Sequence, residues 1–301
     1  MPRFSRHRPS APIVLLTDFG FRDSYVGVMK GVIRGLSRTV DIIDLSHNIV
    51  PQDVAEAAFV LASSYRYFPP GAIFVCVVDP GVGGKRAILY MGAGGQAFLA
   101  PDNGLLSVIA EEAGRTDLRK VTAEQYWLKD TSSTFHGRDI FAPVAARLAE
   151  GLDPSLLGPE VPHLARLELP SPIRAADGSL RGEIIYIDQF GNLITNIREG
   201  MVRRTFGAAP DHLEARVKRR SVPGLSTTYS DRQEGQLVAL IGSSGYLEVA
   251  VNKGSAAVAL GCEKGDSVAL SVAQPGQPGE PDLNAPGPEP TRAPRPGARR
   301  R

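Results

Sequence analysis

Six apolar residues in a row, Ile73-Phe74-Val75-Cys76-Val77-Val78, run directly into Asp79-Pro80-Gly81-Val82-Gly83-Gly84-Lys85-Arg86. The apolar run is rich in β-branched types and shows no polar alternation, as a strand covered on both faces requires in the middle of a parallel sheet. Pro80 ends the ladder because it has no N–H to donate. Gly81, Gly83 and Gly84 permit backbone angles that a side chain forbids. The product is a carboxylate at the carboxyl end of a central strand, a glycine turn, and a guanidinium seven residues further on. In open α/β sheets that edge is where ligands bind. Asp-Pro-Gly is also ordinary β-turn chemistry, and an acidic residue after a strand often serves only as a cap.

The residues before this stretch follow βαβ grammar. Ile13-Val14-Leu15-Leu16 reads as a second buried strand, ending in Thr17-Asp18-Phe19-Gly20. Val26, Met29, Ile33 and Leu36 then fall at helical spacing, which puts Asp23-Ser24 at a helix N-terminus. Val40–Leu45 is the next strand, and a helix after Pro51 presents Val54, Ala58, Leu61 and Tyr65 on one face. Beyond the central strand come a strand pair, Ala87–Met91 and Gln96–Ala100, and helices around Leu105–Ala113 and Ile140–Leu148.

From about 152 to 180 the chain is Pro-rich and without clear period, which reads as a linker. After it the pattern changes to short strands separated by turn residues. These are Gly182–Ile187, Leu193–Ile197, Leu213–Val217, Gln236–Ile241, Gly245–Val251 and Asp266–Val272, a spacing that predicts a small β-barrel or sandwich. Eight of the 24 prolines lie between Ala273 and Arg301, where a Pro-, Gly- and Arg-rich composition cannot bury enough apolar surface to order itself. The expected organisation is a disordered lead-in over 1–11, an α/β domain with a mostly parallel sheet over 12–170, a β-barrel domain over 180–272, and a dispensable disordered tail over 273–301.

A formal net charge of +2 gives no electrostatic case for nucleic acid, and the terminal arginines read as solvated ends. Cys76 and Cys262 make neither a disulfide framework nor a metal knuckle. No run approaches the roughly 18 apolar residues of a membrane span. The basic, polar first dozen residues lack the core of a signal peptide, so a cytoplasmic protein is expected.

The first domain gathers Asp18, Asp23, Asp79 with Arg86, and His136 at or just beyond one sheet edge. His136 lies in Ser133-Thr134-Phe135-His136-Gly137-Arg138-Asp139, on a tight loop before a helix. Asp139 reads equally well as a first-turn carboxylate favoured by the helix dipole. Pro101-Asp102-Asn103-Gly104 reads as a turn and helix cap. In the second domain Asp188-Gln189-Phe190-Gly191-Asn192 breaks two strands as a hairpin loop would. Its Phe190 is an aromatic at a loop tip, available to stack on a flat ligand. Ser243-Ser244-Gly245-Tyr246 is a similar tight loop. P-loop, nucleophile-elbow, zincin and Rossmann glycine signatures are absent.

Taken together, Thr17-Asp18-Phe19-Gly20 with Asp23-Ser24, Val78-Asp79-Pro80-Gly81-Val82-Gly83, Pro101-Asp102-Asn103-Gly104, Thr134–Asp139 and Asp188–Ile197 resemble the S-adenosylmethionine (SAM) hydroxide adenosyltransferases, SAM hydrolases related to the fluorinase and chlorinase enzymes. The likeness runs in order from about residue 12 to 272. It implies an N-terminal α/β domain joined to a small C-terminal β-barrel. It further implies a homotrimer, with SAM held between the first domain of one subunit and the barrel of the next. By position, Asp79, Arg86 and His136 match the hydrolase triad, and Asp23 matches the carboxylate on the ribose hydroxyls. Asp18 is carried as a further substrate-binding carboxylate. Phe190 and Asn192 match groups around adenine, Asp188 a contact to the methionine amino group, and Ser243 and Ser244 the place where halogenases hold the methionine carboxylate. The second of these serines is an arginine in the fluorinase.

Where halide-using relatives carry Tyr, Thr and Ser, this chain carries Asp79, Val82 and Gly137. Like charges about 4 Å apart cost roughly 4 kcal/mol at an effective dielectric near 20, so a fixed carboxylate at the nucleophile position disfavours halide and favours water. The expected reaction is hydrolysis of SAM to adenosine and L-methionine, with no cofactor and no metal. The alternatives are a SAM- or adenosine-binding protein without turnover and a metal-dependent hydrolase built on Asp18, Asp23 and Asp79.

Overall fold

The computed structural model describes residues 11–207 and 212–273; the expected lead-in and tail lie, but for Ala11 and Ala273, outside the described residues. Two compact units divide between Leu169 and Pro170.

The first unit is built on two strands buried at every position, β1 (Ile13–Thr17) and, third in the chain, β3 (Ile73–Val77). With β2 (Ile42–Ser46), β4 (Ile88–Ala93), β5 (Gln96–Pro101) and β6 (Asp117–Lys120) they form a six-stranded sheet of order β2-β1-β3-β5-β4-β6. The pairs β1–β2, β1–β3 and β3–β5 are parallel; β4 runs antiparallel to both β5 and β6. Alternate side chains of each strand enter opposite cores. Ile13, Leu15, Val75 and Val77 pack with Met29 and Ile33 of α1 (Tyr25–Leu36) and with Val144 and Ala145 of α4 (Ala142–Ala149). Val14, Leu16, Phe74 and Cys76 pack with Ala57 and Leu61 of α2 (Val54–Ser64) and Ile109 of α3 (Ser107–Ala113). Two covered faces explain the absence of alternation in the sequence. Phe74 stacks on Phe98 of the neighbouring strand, ring centroids 5.1 Å apart, and full burial of each such ring stabilises by about 1.5–3 kcal/mol. Burial pushes the Cys76 thiol well up, leaving a core residue without nucleophilic character.

The Pro-rich stretch is less of a linker than its composition implies. Leu157 is fully buried, its carbonyl takes the Thr122 and Ala123 N–H groups, and Val161 N–H bonds the Leu118 carbonyl at 2.9 Å. Backbone hydrogen bonds, invisible to a periodicity argument, fasten the part of this segment before Pro170 to the first unit.

The second unit starts with β7 (Ile173–Arg174), ahead of residue 180, and continues through β8 (Leu180–Ile187), β9 (Leu193–Arg198), β10 (Leu213–Val217), β11 (Arg220–Pro223), β12 (Leu237–Ile241), β13 (Tyr246–Val251) and β14 (Ser267–Val272). The ladders between these strands are antiparallel, in the order β11-β10-β14-β8-β9-β13-β12, with β7 added to β8. Just after β11, Ser226 N–H bonds the Ala239 carbonyl of β12 at 2.8 Å, so the two ends of the sheet meet in a nearly closed barrel. Closure leaves one interior, filled by Leu180, Ile184, Leu193, Ala239, Leu247, Val249 and Leu270. Two short helices, α5 (Glu199–Phe206) and α6 (Ala256–Leu260), pack Val202 and Ala256 onto it. The mixed α/β architecture with a C-terminal barrel is the one expected from the sequence. Among the described residues no helix is long and apolar enough to cross a membrane.

Candidate active site

β3 ends at Val77, and Val78 and Asp79 carry the chain past the sheet edge. The Val78 carbonyl accepts from Asn103 Nδ2 at 2.9 Å, and the Ala87 carbonyl accepts from Asp102 N–H at 2.9 Å. The Pro101–Gly104 turn therefore clamps both feet of the glycine loop, a structural duty in line with its reading as a turn. Between those feet, Val82 N–H bonds the Asp79 carbonyl at 3.2 Å and Gly84 N–H the Gly81 carbonyl at 3.0 Å, folding the loop back on itself. That fold delivers Arg86 to Asp79. Its Nε lies 3.0 and 2.9 Å from the two carboxylate oxygens, and Nη2 also bonds Oδ2. Both side chains are largely withdrawn from solvent, 4% exposed for Asp79 and 11% for Arg86.

Arg86 Nη2 lies 2.8 Å from His136 Nδ1. A guanidinium can only donate, so Nδ1 accepts and the proton of the neutral ring sits on Nε2. Burial and the adjacent Arg86 charge hold His136 below its ordinary pKa, against opposition from Asp79 and Asp139. Asp79, Arg86 and His136 thus form one contiguous chain of contacts with the imidazole neutral at physiological pH. His136 reaches Arg86 from the start of a π-helical turn, Gly137–Phe141, that runs into α4. Gly137 leaves room for a close fit there: a Cβ would stand 3.1 Å from Met29 Sδ and 3.3 Å from the Phe135 ring, side chains that would have to yield to it.

Asp18 leaves the neighbouring strand at the same edge, since Thr17 is in register with Val77. Its Oδ2 accepts from Gln52 N–H at 2.8 Å, and Gln52 holds a left-handed φ of 67° to make that bond. The loop is further held by His47, whose Nδ1 lies 2.7 Å from Thr17 Oγ1 and whose carbonyl takes Gly20 N–H. Asp23 is exposed in the turn before α1, apart from these bonded groups. Phe19, Tyr25 and Phe135 form an aromatic cluster, with Tyr25 and Phe135 edge-to-face at 5.1 Å. Among the described residues no three His, Cys, Asp or Glu side chains gather so as to hold a metal ion.

In the second unit the β8–β9 loop is organised by Asp188. Its Oδ1 accepts from the N–H groups of Phe190 and Asn192, and its Oδ2 from Asn192 Nδ2, each at 2.9 Å. This leaves Phe190 projecting, 76% exposed, at the mouth of a cavity of about 590 Å³ shared with Asp188, Asn192, Tyr229 and Ser255. Ser243 and Ser244 occupy the β12–β13 turn and do not line that cavity. Tyr229 was not singled out from the sequence. It sits in a capped helical turn within a polar run, and its hydroxyl bonds buried Glu248 at 2.7 Å. Burial and that carboxylate push the Tyr229 hydroxyl up, and burial raises Glu248 as well. A larger hollow, about 730 Å³, lies at the opposite edge of the first sheet between Gly71, the β4–β5 turn and Arg115, away from the triad.

Comparison with known proteins identifies the family. Residues 13–158 match the SAM hydroxide adenosyltransferase N-terminal domain and residues 182–269 the corresponding C-terminal domain. A protein of Thermus thermophilus named (R)-S-adenosyl-L-methionine hydrolase is 40% identical over 270 residues, covering 86% of this chain and 99% of its own. One of the same name from Salinispora tropica is 36% identical, covering 88% and 99%. A fluorinase of Nocardia brasiliensis is more distant at 28% identity, covering 86% and 96%. The crystal structure of a conserved protein from Thermotoga maritima superposes with a TM-score of 0.81 at 37% identity, over 86% of this chain and 99% of that one. Matched in both of its units, the chain belongs to the SAM hydroxide adenosyltransferase family.

Proposed function

We propose that this protein hydrolyses S-adenosyl-L-methionine to adenosine and L-methionine, water attacking the ribose C5′. The observation that carries the reading is the contact chain Asp79–Arg86–His136 at the carboxyl edge of the central sheet. As water forms the C5′–O bond, the C5′–S bond breaks and its electron pair leaves with sulfur as a neutral thioether. Leaving-group protonation is therefore unnecessary. The site has to align the water, accept the proton it sheds and exclude competing nucleophiles. Asp79 holds Arg86 by its fork, and Arg86 faces the oxygen as negative charge develops on it. His136 is the proton acceptor: Nδ1, the ring nitrogen without a proton, takes the proton of a water seated beside Arg86 as the C5′–O bond forms, while Arg86 Nη2 turns from Nδ1 to the oxygen.

Substrate recognition follows the same reading: Asp23 for the ribose hydroxyls, Asp18 as a further substrate-binding carboxylate, Phe190 and Asn192 for adenine, and Asp188, Ser243 and Ser244 for the methionine end. Asp188 serves the amino group while also holding its own loop. A homotrimer belongs to the proposal, and light scattering of the purified protein measures it. The decisive assay is chromatographic: incubation with SAM should release adenosine and methionine in equal amounts. SAM bound yet unchanged after hours would make the protein a binder and overturn the reading.

The His136 environment fixes a pH dependence. The folded pKa lies below the ordinary value of about 6.5. In the window between them the unfolded chain binds more protons, so the stabilisation is complete above that ordinary value and is lost as pH falls through the lowered pKa. Protonating Nδ1 also sets two cations against each other at Arg86. We expect kcat/KM to be level above neutrality and to fall on the acid side with an apparent pKa under the usual histidine range. A pH–rate profile checks this, and His136→Asn should abolish that limb together with most of the activity.

A further inference from the structure

Asp139 lies three residues beyond His136 and is wholly buried, where an acid that merely answers a helix dipole would stay at the surface. Its carboxylate reaches backwards. Oδ2 accepts from Ser132 N–H at 2.9 Å and from Ser132 Oγ at 2.8 Å, while Arg138 donates to both oxygens, at 2.6 and 3.0 Å. Ser132 Oγ in turn accepts from Phe135 N–H at 3.1 Å, and the Asp139 carbonyl takes Leu128 N–H at 2.8 Å. Every residue from Ser132 to His136 is thus enclosed in a loop whose two ends converge on one side chain. The loop also supports the glycine turn: the Ser133 carbonyl packs so closely on Gly83 that a Cβ there would meet it at 2.2 Å.

We propose that Asp139 is the positioning residue for His136, holding the 132–136 loop so that Nδ1 meets Arg86 and Ser133 seats the glycine turn. The inference rests on the hydrolase reading of the triad and adds a member that does not touch the reacting atoms. Two features distinguish this from simple loop stabilisation. Its geometry links one carboxylate to both segments that carry triad side chains. Its charge also bears on the imidazole: the charged groups acting on His136 are Arg86, Asp79 and Asp139, and Asp139 opposes the depression caused by burial and Arg86. Asp139 keeps that charge, because the Arg138 and Ser132 hydrogen bonds outweigh the upward push of burial and hold its carboxyl below the usual range.

The test compares Asp139→Asn and Ser132→Ala in the full chain. Asp139→Asn should lower kcat about 10- to 100-fold with KM little changed, the signature of displaced catalytic groups. It should also move the acid limb of the pH profile to higher pH, because a displaced His136 loses the burial and the Arg86 contact that hold its pKa down, and these outweigh the lost Asp139 charge. Ser132→Ala loses the hydroxyl link but keeps the Asp139 charge and the Arg138 bonds, so kcat should fall less and the limb should move less, in the same direction. His136 is followed separately by NMR titration of its imidazole, assigned by the signal missing in His136→Gln. That readout needs no turnover, so it decides the positioning claim even if wild-type protein leaves SAM intact. A higher His136 pKa in Asp139→Asn supports the proposal, whereas a lower one, the effect of the lost charge with His136 still in place, overturns it. Folded Asp139→Asn with wild-type kcat and an unmoved His136 titration overturns it. Should Asp139→Asn fail to fold, wild-type kcat in folded Ser132→Ala overturns it instead.

Discussion

Asp79→Asn should bind SAM about as well as wild type and turn it over roughly 10²- to 10⁴-fold more slowly, the range that a positioned proton-transfer or charge-orienting group commands. The substitution keeps the shape of the side chain and removes its charge. Arg86 Nε now bonds both carboxylate oxygens, and Nη2 bonds Oδ2 as well. An amide offers one acceptor oxygen and, through its NH₂, a donor that repels the guanidinium. Arg86 is then free to rotate from His136 Nδ1, and water at the sheet edge loses its aligned cation. Since the adenine and ribose groups proposed above are elsewhere, KM should change little while kcat falls, which marks an interaction realised mainly in the transition state. Loss of one partner from a nearly buried pair also destabilises the fold, by about 3–5 kcal/mol in strongly buried cases. Thermal denaturation run in parallel therefore fixes the folded fraction by which kcat is normalised. Wild-type turnover in Asp79→Asn would remove the end of β3 from the catalytic centre.

That strand end could be found in the sequence because two local signals coincide there. Ile73–Val78 has no period, as a doubly buried strand requires, and the Asp79 after it joins similar polar residues at other strand ends of the same domain. β1 is legible for the same reason. The barrel strands β8, β9, β12, β13 and β14 are visible through their turn residues. What escaped has a physical cause in each case. β6 (Asp-Leu-Arg-Lys) and β11 (Arg-Ser-Val-Pro) are four residues long, too short to display an alternation. Helix α5 has only two turns, and α6 barely more than one, so neither repeats a period; their apolar residues look like turn filler until the barrel supplies a surface. The functional misses are of another kind. Asp139 and Ser132 are seven residues apart, and their bond closes a loop rather than a helix turn, so no spacing rule points to it. Tyr229 meets Glu248 across 19 residues and faces the cavity only because the barrel closes. Sequence patterns report the period of an element and the chemistry of its ends. They do not report which loop will lie on which.

The contact between two such loops can be tested at a single atom. Gly83 has φ of +73°, and a Cβ built on it would stand 2.2 Å from the Ser133 carbonyl oxygen. Gly83→Ala faces the left-handed penalty of about 1–2 kcal/mol for a residue with a side chain. It also faces an overlap between two backbones, which neither can relieve by turning a rotamer. One of the two segments must move. Arg86 lies at the end of one and His136 at the end of the other, so a shift of about 1 Å at their contact should cost on the order of 100-fold in rate. Two other glycines grade the prediction. Gly94, at φ +59° in the β4–β5 turn, has nothing within 4 Å of its Cβ position, so Gly94→Ala should lose a little stability and no activity. Gly81 lacks the left-handed angle, and its Cβ would meet Arg86 Cγ at 3.3 Å, a contact the side chain can yield to. Gly81→Ala should therefore fall between the two, with a modest loss of kcat and a small change in melting temperature. The ordering Gly94, Gly81, Gly83 in loss of kcat is the expected result. If Gly83→Ala keeps full activity, the seating of the 132–136 loop on the glycine turn is not what brings His136 to Arg86.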